Sequence, residues 1–152
     1  MATATVLCIG NSIAGDDGAG AAVYEELRER QLPADVHLKF LGLGGIDLLE
    51  ELAGEEVLVV VDAVQLGADC GTVHVLAWEQ LPGMTERPVS GHGIGVKEAI
   101  EVGRKLYPER MPHTIWLVGI EGQCFDQLGE KLSESVAASI PVAADEVLQL
   151  LT

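Results

Sequence analysis

Aromatic residues make up only 4% of this 152-residue chain, so its core must be assembled from Val, Leu, Ile and Ala. Basic residues are also scarce. Nine Lys and Arg face 24 Asp and Glu, for a formal net charge of −15. A chain so acidic repels phosphate backbones and anionic lipid, which argues against nucleic acid and membrane surfaces as partners. It favours a cationic partner, a metal ion or a basic protein segment. There are three cysteines, Cys8, Cys70 and Cys124, with no CxxC pair. An odd, scattered set argues against a disulfide framework and fits a reducing compartment. No apolar run approaches the roughly 20 residues of a membrane helix. Met1 to Thr5 has no basic region, so no signal peptide is expected and a soluble cytoplasmic protein is. Several motifs are missing. The first strand is not followed by GxGxxG, and GK[ST], G-x-S-x-G and HExxH do not occur. Dinucleotide, ATP and serine-hydrolase readings lose ground accordingly.

What is present is a hydrophobic fraction of 48%, with mean hydropathy +0.28, in a length that suits one domain over residues 1–152. Residues 5–10 form a continuous apolar run, which predicts a strand buried on both faces. From Gly18 to Arg30, Ala19, Val23 and Leu27 recur on one helical face. Val36 to Leu41 predicts a second strand, and Ile46 to Leu52 a short helix. Glu56 to Val61 predicts a third strand that ends at Asp62. The connection to a fourth strand, Thr72 to Ala77, is too short for a parallel crossover, so that strand should run antiparallel to the third. Ser90 opens a helix to about Leu106, His113 to Ile120 predicts a fifth strand, and Ser133 to Leu150 a last helix that Pro141 should kink. Alternating strands and helices make this an α/β layered fold with a mostly parallel sheet. Right-handed crossovers place the first strand between the second and third, so ligands are expected at the carboxyl ends of the strands around that switch.

Three stretches carry chemistry at that end. Gly10-Asn11-Ser12-Ile13-Ala14-Gly15-Asp16-Asp17-Gly18-Ala19-Gly20 joins the first strand to its helix with four glycines and two adjacent carboxylates. Asp62 closes the third strand. His92 stands between Gly91 and Gly93 at a helix start, where small neighbours allow a metal or a substrate backbone to approach. Two carboxylates and an imidazole form an oxygen–nitrogen ligand set suited to Zn, Ni, Co or Fe(II) with positions left open. Plainer roles are open to each residue. Asp16 can cap the helix, Asp17 can sit in a solvated turn, Asp62 can be a hydrogen-bonded structural acid, and His92 can be satisfied by backbone. By alternation His74 and His37 fall on solvent faces. Cys8 reads as core, and Cys70 and Cys124 as loop thiols without partners.

The Gly10–Gly20 signature, with Val60-Val61-Asp62-Ala63, Ser90-Gly91-His92, Leu117-Val118-Gly119-Ile120 and the stretch from Leu132-Ser133 to Pro141, resembles the nickel–iron hydrogenase maturation proteases over essentially the whole chain. The resemblance implies a three-layer α/β/α sandwich, similar to nucleoside phosphorylases and some hydrolases, with five strands and the fourth antiparallel. It implies a cytoplasmic endopeptidase that removes a C-terminal extension from a hydrogenase large-subunit precursor after nickel insertion. The nickel is contributed by the precursor, and no organic cofactor is implied. The metal-binding and catalytic positions map onto Asp17, Asp62 and His92. Asp17 is chosen over Asp16 because the family position is the second acid of the pair. Gly42–Gly45 and Gly122–Asp126 are loops available to line a peptide groove. A monomer is the default expectation. The competing readings are a non-catalytic nickel-binding checkpoint protein of the same fold and a small-molecule hydrolase.

Overall fold

Strand β3, Val57–Val64, is the middle of the sheet and is buried along nearly its whole length. In the computed structural model, residues 3–10, 18–42, 46–80, 96–122 and 132–151 are described. The other strands are β1 Ala4–Ile9, β2 Val36–Leu41, β4 Val73–Ala77 and β5 Thr114–Glu121. Their order is β2-β1-β3-β5-β4. The first four of these neighbours run parallel, and β4 pairs antiparallel with β5. The expected direction of β4 is therefore observed. Its partner is β5, which lies between β3 and β4.

Helices α1, Ala19–Arg28, and α3, Glu134–Leu150, pack together and cover one face of the sheet. There Val6, Cys8, Val59, Val61, Val118 and Ile120 meet Val23, Leu27, Val136 and Val147. The opposite face carries Leu7, Ile9, Leu58, Val60, Val64 and Leu117 under Leu48, Leu52 and Ile100. Ile100 belongs to α2, Val96–Leu106, and the two Leu to a 3-10 segment, Ile46–Glu51, where a short helix was expected. Because strand side chains alternate, the continuous apolar runs of β1 and β3 supply both cores at once. Helix α3 continues through Pro141. No helix among the described residues is long and apolar enough to cross a membrane.

Two boundaries differ from expectation. Strand β3 does not end at Asp62 but runs on to Val64, because β5 offers it partners: Asp62 aligns with Gly119, Ala63 with Ile120 and Val64 with Glu121. The N-cap of α1 is Gly18, without a side-chain cap bond, so neither acid of the preceding loop occupies that position.

At the amino-terminal edge, buried Glu55 accepts hydrogen bonds from the Thr5 hydroxyl and, at 2.8 Å, from the Ala53 N–H. Burial pushes its carboxyl upward. The bonds from Thr5, Ala53 and its own N–H, with the Lys39 charge, outweigh that and hold it below its ordinary 4.5. A group depressed in this way stabilises the fold above its unfolded pKa, and the stabilisation is lost as pH falls through the folded value. Glu55→Gln should therefore flatten the loss of stability on acidification below about pH 4.5, read from urea midpoints across pH.

The turn before β4 is built by Gly71. Asp69-Cys70-Gly71-Thr72 closes with the Thr72 N–H donating to Asp69 O at 3.0 Å, and Gly71 has φ +91° at the third position. Gly71 N–H donates to Glu121 O at 2.8 Å, while Glu121 N–H donates to Thr72 O at 2.9 Å. Two residues thus oppose one, with glycine first, which is a G1 bulge. A Cβ at Gly71 would also lie 2.7 Å from Ser135 O. Gly71→Ala is expected to cost about 1–3 kcal/mol in urea unfolding, from strained φ and that contact.

Candidate active site

Asp62 is 2% exposed, on the sheet face shared with Val60 and Val64. Its Oδ1 accepts the Ala63 N–H at 2.8 Å. Burying a carboxylate is costly unless it is partnered, so a strand interior retains one only where it is hydrogen-bonded or binds a ligand. Its charge also reaches Cys8 in the adjacent strand. Burial first, and then Asp62, push the Cys8 thiol far above its ordinary range, so Cys8 is an inert core residue. Cys70, read as a thiol without a partner, instead lies 3.3 Å from the Ser133 hydroxyl.

Asp17 and His92 lie outside the described residues, as do Asp16, residues 43–45 and residues 123–131. Strand β1 and helix α1, which flank the Asp17 loop, and helix α2, which follows His92, are described. Cys8 aligns with Val61, so Ile9, the last residue of β1, stands level with Asp62, and Gly10 follows it. Helix α1 returns from the same edge. A Cβ on Gly20 would lie 1.9 Å from the Ile9 carbonyl oxygen, so the first turn of the helix rests directly on the end of β1. The last glycine of the Gly10–Gly20 signature is thus a packing residue, needed where helix and strand backbones touch.

Helix α2 begins at Val96, four residues past His92, and ends near the amino-terminal edge. There the Arg110 side chain binds the Leu49 and Leu52 carbonyls, and Arg110 O accepts the Gly54 N–H before β5 starts at Thr114. Between these ends Ile100 packs on the sheet face that carries Asp62. The stretch bearing Asp17 thus leaves β1 at the end of the sheet where Asp62 is buried, and the helix that follows His92 packs on the Asp62 face. Among the described residues alone, no three His, Cys, Asp or Glu side chains form a metal-binding group.

A polar cluster that the sequence reading missed lies in the same region. Glu121, 4% exposed, accepts the Leu66 N–H at 3.0 Å, the Gly67 N–H at 3.3 Å and His74 Nε2 at 3.0 Å. Alternation predicts a solvent face for His74, yet its side chain is only 18% exposed. Glu121 carried the same cue as Asp62, a carboxylate directly after an apolar run.

The family model described as hydrogenase maturation protease matches residues 21–150. The chain belongs to the hydrogenase maturation protease family. It is 32% identical over 150 residues to the hydrogenase expression/formation protein HupD of Rhodobacter capsulatus, covering 96% of this chain and 70% of that protein. It is 28% identical over 149 residues to the hydrogenase 2 maturation protease of Escherichia coli K12, covering 96% and 88%. The solved structure of the hydrogenase maturating endopeptidase HybD from E. coli superposes with TM-score 0.85 at 27% identity, covering 99% of this chain and 92% of that one. The HybD maturation protease of Thermococcus kodakarensis superposes with TM-score 0.79 at 25% identity over the full length of both. The protein is thus a hydrogenase maturation endopeptidase, a hydrolase, with the fold of that family.

Proposed function

We propose that this protease removes the C-terminal extension of a nickel–iron hydrogenase large-subunit precursor once nickel has been inserted. Asp17, Asp62 and His92 contact the nickel that the precursor's own cysteines hold. The observation that carries this reading is Asp62: a buried carboxylate within an apolar strand, level with the end of β1 from which the Asp17 stretch leaves. The ligand set contains no thiol and leaves positions open, as suits an ion already held by sulfur from another chain.

In this reading the nickel is part of the substrate. It polarises the scissile carbonyl or lowers the pKa of an attacking water. Asp17 or Asp62 takes a proton from that water. Because the precursor supplies the metal, an empty precursor brings the three side chains nothing to engage, and cleavage waits on insertion. The protein works in the cytoplasm, as a monomer.

The test is to incubate the protein with nickel-loaded and nickel-free precursor and weigh the products. Shortening of the loaded form alone is expected. Equal cleavage of both forms contradicts nickel dependence, and cleavage of neither favours a checkpoint role without hydrolysis.

A further inference from the structure

Asp62, Gly119 and His74 form one row across three adjacent strands, since both Asp62 and His74 align with Gly119. They share a face: Asp62 alternates with Val60 and Val64, and His74 with Leu76, all on the α2 side. Asp62 and His74 are therefore about two strand spacings, or ~10 Å, apart. Gly119 puts no side chain between them. A Cβ there would lie 2.9 Å from Val64 Cγ2, so the Val64 methyls occupy the space over Gly119. Asp62 thus lies on one side of Gly119 and the His74–Glu121 pair on the other.

The pair has a defined polarity. Glu121 is an acceptor already holding two backbone N–H groups, so His74 Nε2 donates to it at 3.0 Å. In a neutral imidazole the other nitrogen, Nδ1, is then an acceptor. His74 makes no other hydrogen bond among the described residues, and no Lys or Arg pairs with His74 or Glu121 there. An acceptor nitrogen backed by a buried carboxylate, on a chain of net charge −15, suits a cationic donor.

Resting on the function proposed above, we propose that His74, held by Glu121, is a specificity-determining residue that accepts a hydrogen bond from a Lys or Arg side chain of the precursor beside its scissile segment. The span from Asp62 to His74 equals that of about three residues of extended peptide, so a segment cut at Asp62 reaches His74 with a nearby side chain. Glu121 is a positioning residue in this arrangement, fixing the ring and its tautomer.

The decisive variant is His74→Gln, whose amide nitrogen takes the place of Nε2 and keeps the bond to Glu121 while Nδ1 is lost. A purely structural His74 predicts unchanged melting temperature and unchanged processing. The proposal predicts unchanged melting temperature with KM for the loaded precursor raised at least about tenfold and kcat little altered, since uniform binding is removed. Each Lys or Arg flanking the precursor's cut site is then replaced by Ala in turn. One replacement should raise KM for the wild-type protein to the same degree and have no further effect on His74→Gln. Unchanged KM for His74→Gln, or additive effects at every Lys and Arg, overturns the proposal. Binding of the intact loaded precursor is measured by calorimetry alongside. If the wild-type protein cleaves no precursor, the function proposed above fails. The His74 contact then stands if His74→Gln weakens binding about tenfold or more, and falls if it does not.

Discussion

Gly20→Ala is expected to be among the most destabilising single substitutions in this chain, by about 3–5 kcal/mol. The added Cβ would lie 1.9 Å from the Ile9 carbonyl oxygen and 2.7 Å from its carbon. Both atoms belong to β1, which is paired on both sides, so no side-chain rotation relieves the contact. The only relief is for α1 to move off the sheet by more than an ångström. That helix buries Ala19, Val23 and Leu27 completely and packs on α3, so the movement opens the core it shares with Val136 and Val147. Against a typical total of about 5–15 kcal/mol, such a loss removes much of the folded population. The urea midpoint measures it. A shift equivalent to less than about 1 kcal/mol would show that α1 does not rest on Ile9 in this way.

Asp62→Asn should have the opposite profile. Asn is nearly isosteric, and its amide oxygen can still accept the Ala63 N–H that Asp62 binds at 2.8 Å. Loss of the charge also removes one of the influences that raise the Cys8 thiol. Folding should therefore survive with a change of about 1 kcal/mol or less. Processing of the nickel-loaded precursor should fall by ~10³-fold or more, because an amide is a poor metal ligand and no base. Asp17→Asn and His92→Ala should each abolish processing in the same way. Full processing by the three variants would move the site elsewhere.

How far the sequence could be read depended on whether a feature was local. The unbroken apolar runs of β1 and β3 announce strands buried on both faces, and they are. The short connection after β3 forbids a parallel return, and β4 is antiparallel. That β4 pairs with β5 rather than β3 was not legible, because β5 is contributed by chain that comes about 40 residues later. For the same reason β3 appeared to stop at its first charged residue. Asp62, Ala63 and Val64 stay in the ladder because β5 extends to Glu121 beside them.

The candidate site divides along the same line. Asp62 drew attention by its place in an apolar run, and its burial agrees with the need for partners. Glu121 has the same signature, but alternation points His74 outward, and only the contact between the two, across 47 residues of sequence, turns that side chain toward a partner. Gly20 was visible as a glycine, but the carbonyl that requires it to be one lies on another element. Glycine in a loop signature thus mixed two roles, backbone contact at Gly20 and access for a ligand, which residue type alone does not separate.

In the proposed reaction the protein's own side chains reach the nickel carried by the precursor. Nickel K-edge absorption tests this most directly, on loaded precursor with an uncleavable scissile linkage, alone and with one equivalent of this protein. Added oxygen and nitrogen scatterers at the nickel are predicted with the wild-type protein, and none with the variant combining Asp17→Ala, Asp62→Ala and His92→Ala. A bound complex whose nickel spectrum matches that of the precursor alone would rule this contact out.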